Sequence, residues 1–308
     1  MKLIKKLIKS IINNIKLKFF NDVNRKHDDI KFQSAFSFFE IRKKEYDTVK
    51  SLEEVNFKVF SQNGEDGIVD YLLNRLNIIK PKFIEIGVGD FSECNTRYIY
   101  KKNYPKGLII DIEKNFQSKV SKIEDIWKGG LIVIEDEINT ENINSIIEQN
   151  GFSNNVDLFS LDIDGVDYWI IESLPKNFSK IAVAEYNPYF GSEHQITVPN
   201  ISKFNRTKYH YSNLCFGCSL SALIKVMESK NMKFVGSNNF KNNAFFINND
   251  FINKLNIIFP DTKKLGNFTD ANFLESRDKN YKKNYIKTKN ILKEIQSCKV
   301  INLKNNSS

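Results

Sequence analysis

Nowhere does this 308-residue chain carry a run approaching the roughly 20 apolar residues that a bilayer-spanning helix needs, so no segment is expected to cross a membrane. Cysteine is sparse. Cys94, Cys215, Cys218 and Cys298 are too few and too scattered for a disulfide framework, and a reducing, cytoplasmic setting is expected. The Cys215-x-x-Cys218 pair has no second pair and no neighbouring histidine, which argues against a structural zinc. Histidine is rarer still, with three in the whole chain. Acid is missing altogether from the first 21 residues, where Lys2, Lys5, Lys6, Lys9, Lys16 and Lys18 stand. Those six account for most of the net charge of +9. The remainder is close to balanced, so no broad basic face is implied and no nucleic-acid partner is expected.

What is present begins with that tail. Leu3, Ile4, Leu7, Ile8, Ile11, Ile12 and Ile15 recur at helical spacing, with lysines and asparagines between them. Lysines interrupt the apolar run and no small-residue cleavage site follows, unlike a signal peptide. The pattern predicts an amphipathic helix over 1–30. Through residues 1–20 its apolar face could meet an anionic membrane at the inner face, the protein's own core, or a second copy.

From 31 to 250 the pattern changes to one domain. Helices are expected up to about residue 80. Short apolar runs then alternate with helix-length polar segments: Phe83–Ile86, Gly107–Ile112, Leu131–Ile134, Leu158–Ile163 and Ile181–Tyr186. Such a rhythm predicts βαβ units and a mostly parallel sheet. A helix is expected over Ser219–Lys230, then two strands, Lys233–Gly236 and Ala244–Ile247, too closely connected for a parallel crossover. The fold class is thus α/β, a Rossmann-like sheet ending in an antiparallel hairpin strand, with helical extensions at both ends. Residues 251–308 form the second extension, a basic helical appendage carrying Lys282, Lys283, Lys287, Lys289 and Lys293, then a polar end.

Ligands of such sheets sit beyond the carboxyl ends of the strands. The first strand runs into Glu85-Ile-Gly87-Val-Gly89, whose glycines permit a tight turn and a close backbone approach. Asp111 ends the second strand, placed to accept hydrogen bonds from ribose hydroxyls. A nicotinamide cofactor would use the same turn, but Ser92 stands where its fingerprint needs a third glycine, and the terminal hairpin replaces a second nucleotide-binding half.

The Glu85-Ile-Gly87-Val-Gly89 turn resembles the first motif of class I S-adenosylmethionine-dependent methyltransferases, and the hairpin resembles their reversed last strand. More specifically, Ser61-Gln62-Asn63-Gly64-Glu65-Asp66, Ser160-Leu-Asp162-Ile-Asp164-Gly165 and Glu185-Tyr-Asn187 resemble FkbM-type methyltransferases, in the right order over about residues 57 to 250. The resemblance implies S-adenosylmethionine as cofactor. Glu85, Gly87 and Gly89 would line its methionine part and Asp111 would hold its ribose, while Gln62, Asn63 and Glu65 would close over the pocket. It also implies a saccharide, glycoconjugate or other small-molecule acceptor. A non-catalytic module that kept the fold is the rival. A nucleic-acid methyltransferase is disfavoured, since no (Asn/Asp)-Pro-Pro-(Tyr/Phe) motif follows the fourth strand.

A hydroxyl acceptor needs a base or a metal to become nucleophilic at neutral pH. Asp162, Asp164, Asp167 and Glu185 crowd the ends of strands four and five, with Asn187 beside them. Three readings stay open. Asp162, Glu185 and Asn187 could hold Mg²⁺ through oxygen ligands; Asp162, Asp164 or Glu185 could act without metal; or Asp164-Gly165 could form a turn with Asp167 capping the next helix. His194, and less so His210, fall where a substrate cover would sit and are expected near the chemistry. Tyr186, Tyr189, Phe190, Tyr209 and Tyr211 crowd the same region, as acceptor-stacking rings or as core.

Overall fold

A computed structural model describes residues 2–191, 193–261, 275–286, 291 and 294–303. Five parallel strands follow the expected rhythm: β1 (Phe83–Ile86), β2 (Gly107–Asp111), β3 (Leu131–Glu135), β4 (Leu158–Leu161) and β5 (Ile181–Glu185). The hairpin strands β7 (Met232–Ser237) and β8 (Asn243–Asn248) complete a seven-stranded sheet, and the short β6 (Ile196–Thr197) lies outside it. The sheet order is β3-β2-β1-β4-β5-β8-β7, with β8 antiparallel to both of its neighbours. The order reverses beside β1, and crossovers leave a crevice at such a point.

Side chains alternate across the sheet, so each face builds its own core. On one face Phe83, Ile109 and Val183 pack with α1 (Lys2–Arg42), α2 (Glu65–Arg75), α3 (Arg97–Asn103) and α4 (Phe116–Ile123). On the other, Ile84, Ile86 and Leu161 meet α5 (Ile143–Gln149), α6 (Asp167–Ser173) and, after the short α7 (Arg206–Tyr209), α8 (Leu220–Ser229). The Ser219 side chain caps α8 by accepting from the Ala222 N–H.

Helix α1 does not break near residue 30, where the sequence had placed a boundary; it continues to Arg42. Its second half is fastened to the body. Ala35 and Phe39 are buried, and Asp28 and Asp29 pair with Arg97 and Lys101 at 2.5 and 2.8 Å. Arg25 reaches Asp125 at 2.7 Å. No helix among the described residues is long and apolar enough to cross a membrane.

Of the expected helical appendage, Ile291, Glu294 and Ile295 are helical, and residues 275–286 make a turn in which Arg277 pairs with Lys283, while residues 262–274, 287–290 and 292–293 lie outside the described residues. Beyond them the chain returns as β9 (Ile301–Asn302), antiparallel to β6. A disulfide between Cys215 and Cys298 joins the same two regions, contrary to the expectation of free thiols. Cys94 and Cys218 are free and buried.

Candidate active site

The carboxyl ends of β1 to β4 open onto a cavity of about 410 Å³. Gly87 has φ +82°, and a Cβ there would lie 1.7 Å from the Asp162 carbonyl oxygen. Only glycine lets the turn after β1 press this closely on the end of β4. Gly89, at φ +58°, lines the cavity and would point a Cβ into open space. Its N–H donates to Asp111 Oδ2 at 2.7 Å, and the Glu113 N–H donates to Oδ1 at 2.8 Å. Each oxygen keeps a lone pair for an incoming hydroxyl. Burial raises the Asp111 carboxyl from its ordinary value, against those two bonds.

Sequence reasoning missed part of this cavity. Ile112, with 71% of its surface exposed, offers an apolar wall, and Asp136, Glu137 and Ile138 line it just after β3. An apolar face beside carboxylates fits an adenine ring and its amino group. The only available signal was that ligands collect at strand ends, since Asp136 follows β3 directly. Residues 200–204 form the opposite side, with Phe204 supplying an aromatic face.

The other residues expected at the cofactor do different work. Glu85 is buried and accepts from the Asn95 N–H at 2.7 Å and the Thr96 N–H at 2.9 Å, fixing the approach to α3. Gln62 is exposed. Glu65 takes the Asn63 N–H and the side-chain amides of Asn238 and Asn243, at 2.6–2.9 Å, clasping α2 to the β7–β8 hairpin. Asp66 turns one oxygen to the N–H groups of Val59, Phe60 and Ser61 and to the Ser61 hydroxyl. None of Gln62, Asn63, Glu65 or Glu85 lines the cavity. Buried carboxylates require donors, and the loop from Val59 to Asn63 supplies them.

The acidic rim does assemble. Oxygens of Asp162, Asp164 and Glu185 lie within 4.8 Å of one another, and Asp162 and Asp164 face the cavity. Glu185 is buried, and its Oε2 has no hydrogen-bond donor among the described residues. Burial is the main cause that raises both Asp162 and Glu185 well above the ordinary carboxylate value, followed by the charge of Asp164 for Asp162 and the charge of Asp162 for Glu185. Burial also raises Asp164, opposed by its ion pair with Arg206. Asp167, the first residue of α6, does not cap that helix but closes the turn after β4 by accepting the Ile163 and Gly165 N–H groups at 2.9 Å, and burial pushes it up to about 6.

The expected magnesium set does not hold together. The Asn187 side chain donates to the carbonyls of Leu214 and Phe216 at 2.9 and 3.0 Å and accepts the Tyr189 N–H at 3.0 Å. Its amide is consumed in fixing the loop. Asp164 stands third instead, already neutralised by Arg206.

Neither histidine lines the cavity. His194 is exposed, and its carbonyl accepts from Ser219 and Ser221. His210 bonds Ser212 and Ser297 through its two ring nitrogens, at 2.7 and 2.9 Å. Tyr186 is core, its hydroxyl on Ser237, while Tyr209 and Tyr211 reach the Lys299 carbonyl and Glu294.

Residues 27–209, more than half the chain, match the family model described as "Methyltransferase FkbM domain". No curated protein matches by sequence. Similar solved structures include the N-terminal domain of EvdMO1 with SAH bound, at 7% identity and TM-score 0.39, covering 61% of this chain and 80% of that one. An S-adenosylmethionine-dependent methyltransferase from Aquifex aeolicus shows 11% identity and TM-score 0.34, covering 66% and 96%. The pyocyanin biosynthetic protein PhzM shows 12% and 0.35, and the chain spans 53% of its length. The family model covers more than half of the chain, which therefore belongs to the FkbM family of S-adenosylmethionine-dependent methyltransferases.

Proposed function

We propose that this methyltransferase transfers its methyl group to a hydroxyl of a saccharide or glycoconjugate, with Asp162 as the general base. The observation that carries the reading is the Asp162–Glu185 pair, whose oxygens converge at the cavity edge, where burial raises both carboxyls. When bound, S-adenosylmethionine supplies an electrophilic sulfonium methyl. The chain's task is to align a hydroxyl and accept its proton. Asp162 is the member that lines the cavity and can reach an acceptor hydroxyl, and Glu185 is buried behind it. Gly89 and Asp111 hold the turn and the ribose end. The acceptor side supports a sugar through Asp164, Asn200, Ser202 and Lys203 as polar partners and Phe204 as a stacking face. An acceptor held near a membrane would also suit the helix that projects from the body.

The test is methyl transfer from labelled S-adenosylmethionine to a panel of mono- and oligosaccharides, read by mass spectrometry, with calorimetry for cofactor affinity. Asp162→Asn should lower turnover by about 10²-fold or more with cofactor affinity unchanged. Equal turnover in Asp162→Asn and in the unmodified enzyme would remove the base. Methylation of amines but not hydroxyls across the panel would remove the acceptor class.

A further inference from the structure

We propose that the projecting end of α1 lies along the surface of an anionic lipid bilayer, apolar side inward. Ile12, Ile15, Phe19 and Val23 are 45–64% exposed and recur every three or four residues, forming one stripe on the helix. Phe20, at its edge, is 61% exposed. The described side chains from 12 to 20 are all exposed, whereas from Arg25 onward the helix is fastened by ion pairs and by Phe39 in the core. Among the described residues, then, the protein's own body does not cover the stripe.

Charge decides between the two remaining occupants. By sequence spacing Lys2, Lys5, Lys6, Lys9 and Lys16 gather on an arc beside the apolar residues, and no acid stands before Asp22. A second copy of the helix would bring a second set of lysines against the first with nothing to neutralise them. Anionic headgroups complement them, and each lysine brought near such a surface improves partitioning about fivefold. An amphipathic helix in this position buries its apolar side at the headgroup boundary while the lysines stay among the phosphates.

Flotation of the full chain with phosphatidylcholine vesicles, with and without phosphatidylglycerol, tests this. Binding to the anionic vesicles should exceed binding to the neutral ones by about tenfold or more and should weaken with added salt. The pairs Phe19→Ser/Phe20→Ser and Lys16→Glu/Lys18→Glu should each reduce it by about tenfold. Both pairs should leave thermal melting and S-adenosylmethionine affinity unchanged, because these side chains are exposed. Binding that ignores lipid charge, or no binding, overturns the proposal. So does a dimer in sedimentation velocity that dissociates on the phenylalanine substitutions without any vesicle binding.

Discussion

Replacing Asp66 with alanine separates a structural from a cofactor-binding role for the motif at residues 61–66. The Asp66 carboxylate is fully buried, and its Oδ2 receives three backbone N–H groups at 2.7–2.8 Å and the Ser61 hydroxyl at 2.7 Å. Alanine strips all three backbone donors of their acceptor. A buried donor left unpaired costs about 1–3 kcal/mol. Local relaxation and entering water recover part of that sum, so a net loss of about 3–5 kcal/mol is expected, near the upper end for single substitutions. Asp66→Asn keeps one acceptor oxygen but sets an amide where Oδ1 is buried without a donor, so it should restore only part of the loss. Urea unfolding followed by circular dichroism gives the measurement, with the midpoint falling and the slope unchanged. Calorimetry on the folded variant should find near-native affinity for S-adenosylmethionine, because Asp66 does not line the cavity. A stability loss under about 1 kcal/mol with affinity falling more than tenfold would refute the structural account.

Other expectations follow from the same geometry. Gly87→Ala should fail to fold or lose much stability, since its Cβ would collide with the Asp162 backbone, whereas Gly89→Ala should fold at a cost of about 1 kcal/mol and show weakened cofactor binding. Thermal melts and calorimetry of the two distinguish the collision from the cavity effect. Turnover should rise with pH through a transition above the ordinary carboxylate range, because burial holds the proton on the Asp162–Glu185 pair and the base works only after losing it. Since the folded-state values lie above the unfolded ones, the same pair favours the folded state at acid pH and loses that contribution as pH rises through its ionisation. Asp162→Asn/Glu185→Gln should flatten both dependences, and an unchanged rate profile would exclude the pair from catalysis. Cys298→Ser should cost about 2–4 kcal/mol, matched by adding reductant to the unmodified protein, because the bond closes an 83-residue separation.

The sheet was legible in the sequence because each parallel strand is buried on both faces and therefore appears as an uninterrupted apolar run, as in Leu158–Leu161. The short link from Ser237 to Asn243 likewise forced β8 to be antiparallel. The placement of Gly87, Gly89 and Asp111 around the cavity was readable because turn geometry and strand ends restrict residue type. The convergence of Asp162 and Glu185 was readable because β4 and β5 are neighbours. Partnerships between distant segments were not. Nothing local links Cys215 to Cys298, or tells Asn187 from a ligand before its amide is seen on Leu214 and Phe216. Glu65 could be named from its motif, but its commitment to Asn238 and Asn243 depends on a hairpin more than 170 residues away. The expected break near residue 30 failed because helix continuity is decided by where α1 meets the body, not by where its charge pattern changes.

The missing side chain at Gly87 has a consequence for how acceptors can diversify. The cofactor turn and the end of β4 touch backbone to backbone there, and the Asp162 N–H also donates to the Ile86 carbonyl at 3.0 Å. If Asp162 is the base, as proposed, donor and base are registered by the sheet itself, independently of any flexible side chain between them. The aromatic and polar wall at 200–204 comes instead from a connecting segment outside the seven-stranded sheet. On the proposed function, sequence change in that wall would alter which hydroxyl is presented while the spacing between methyl donor and proton acceptor stays as it is, so that reaction and choice of substrate could evolve apart.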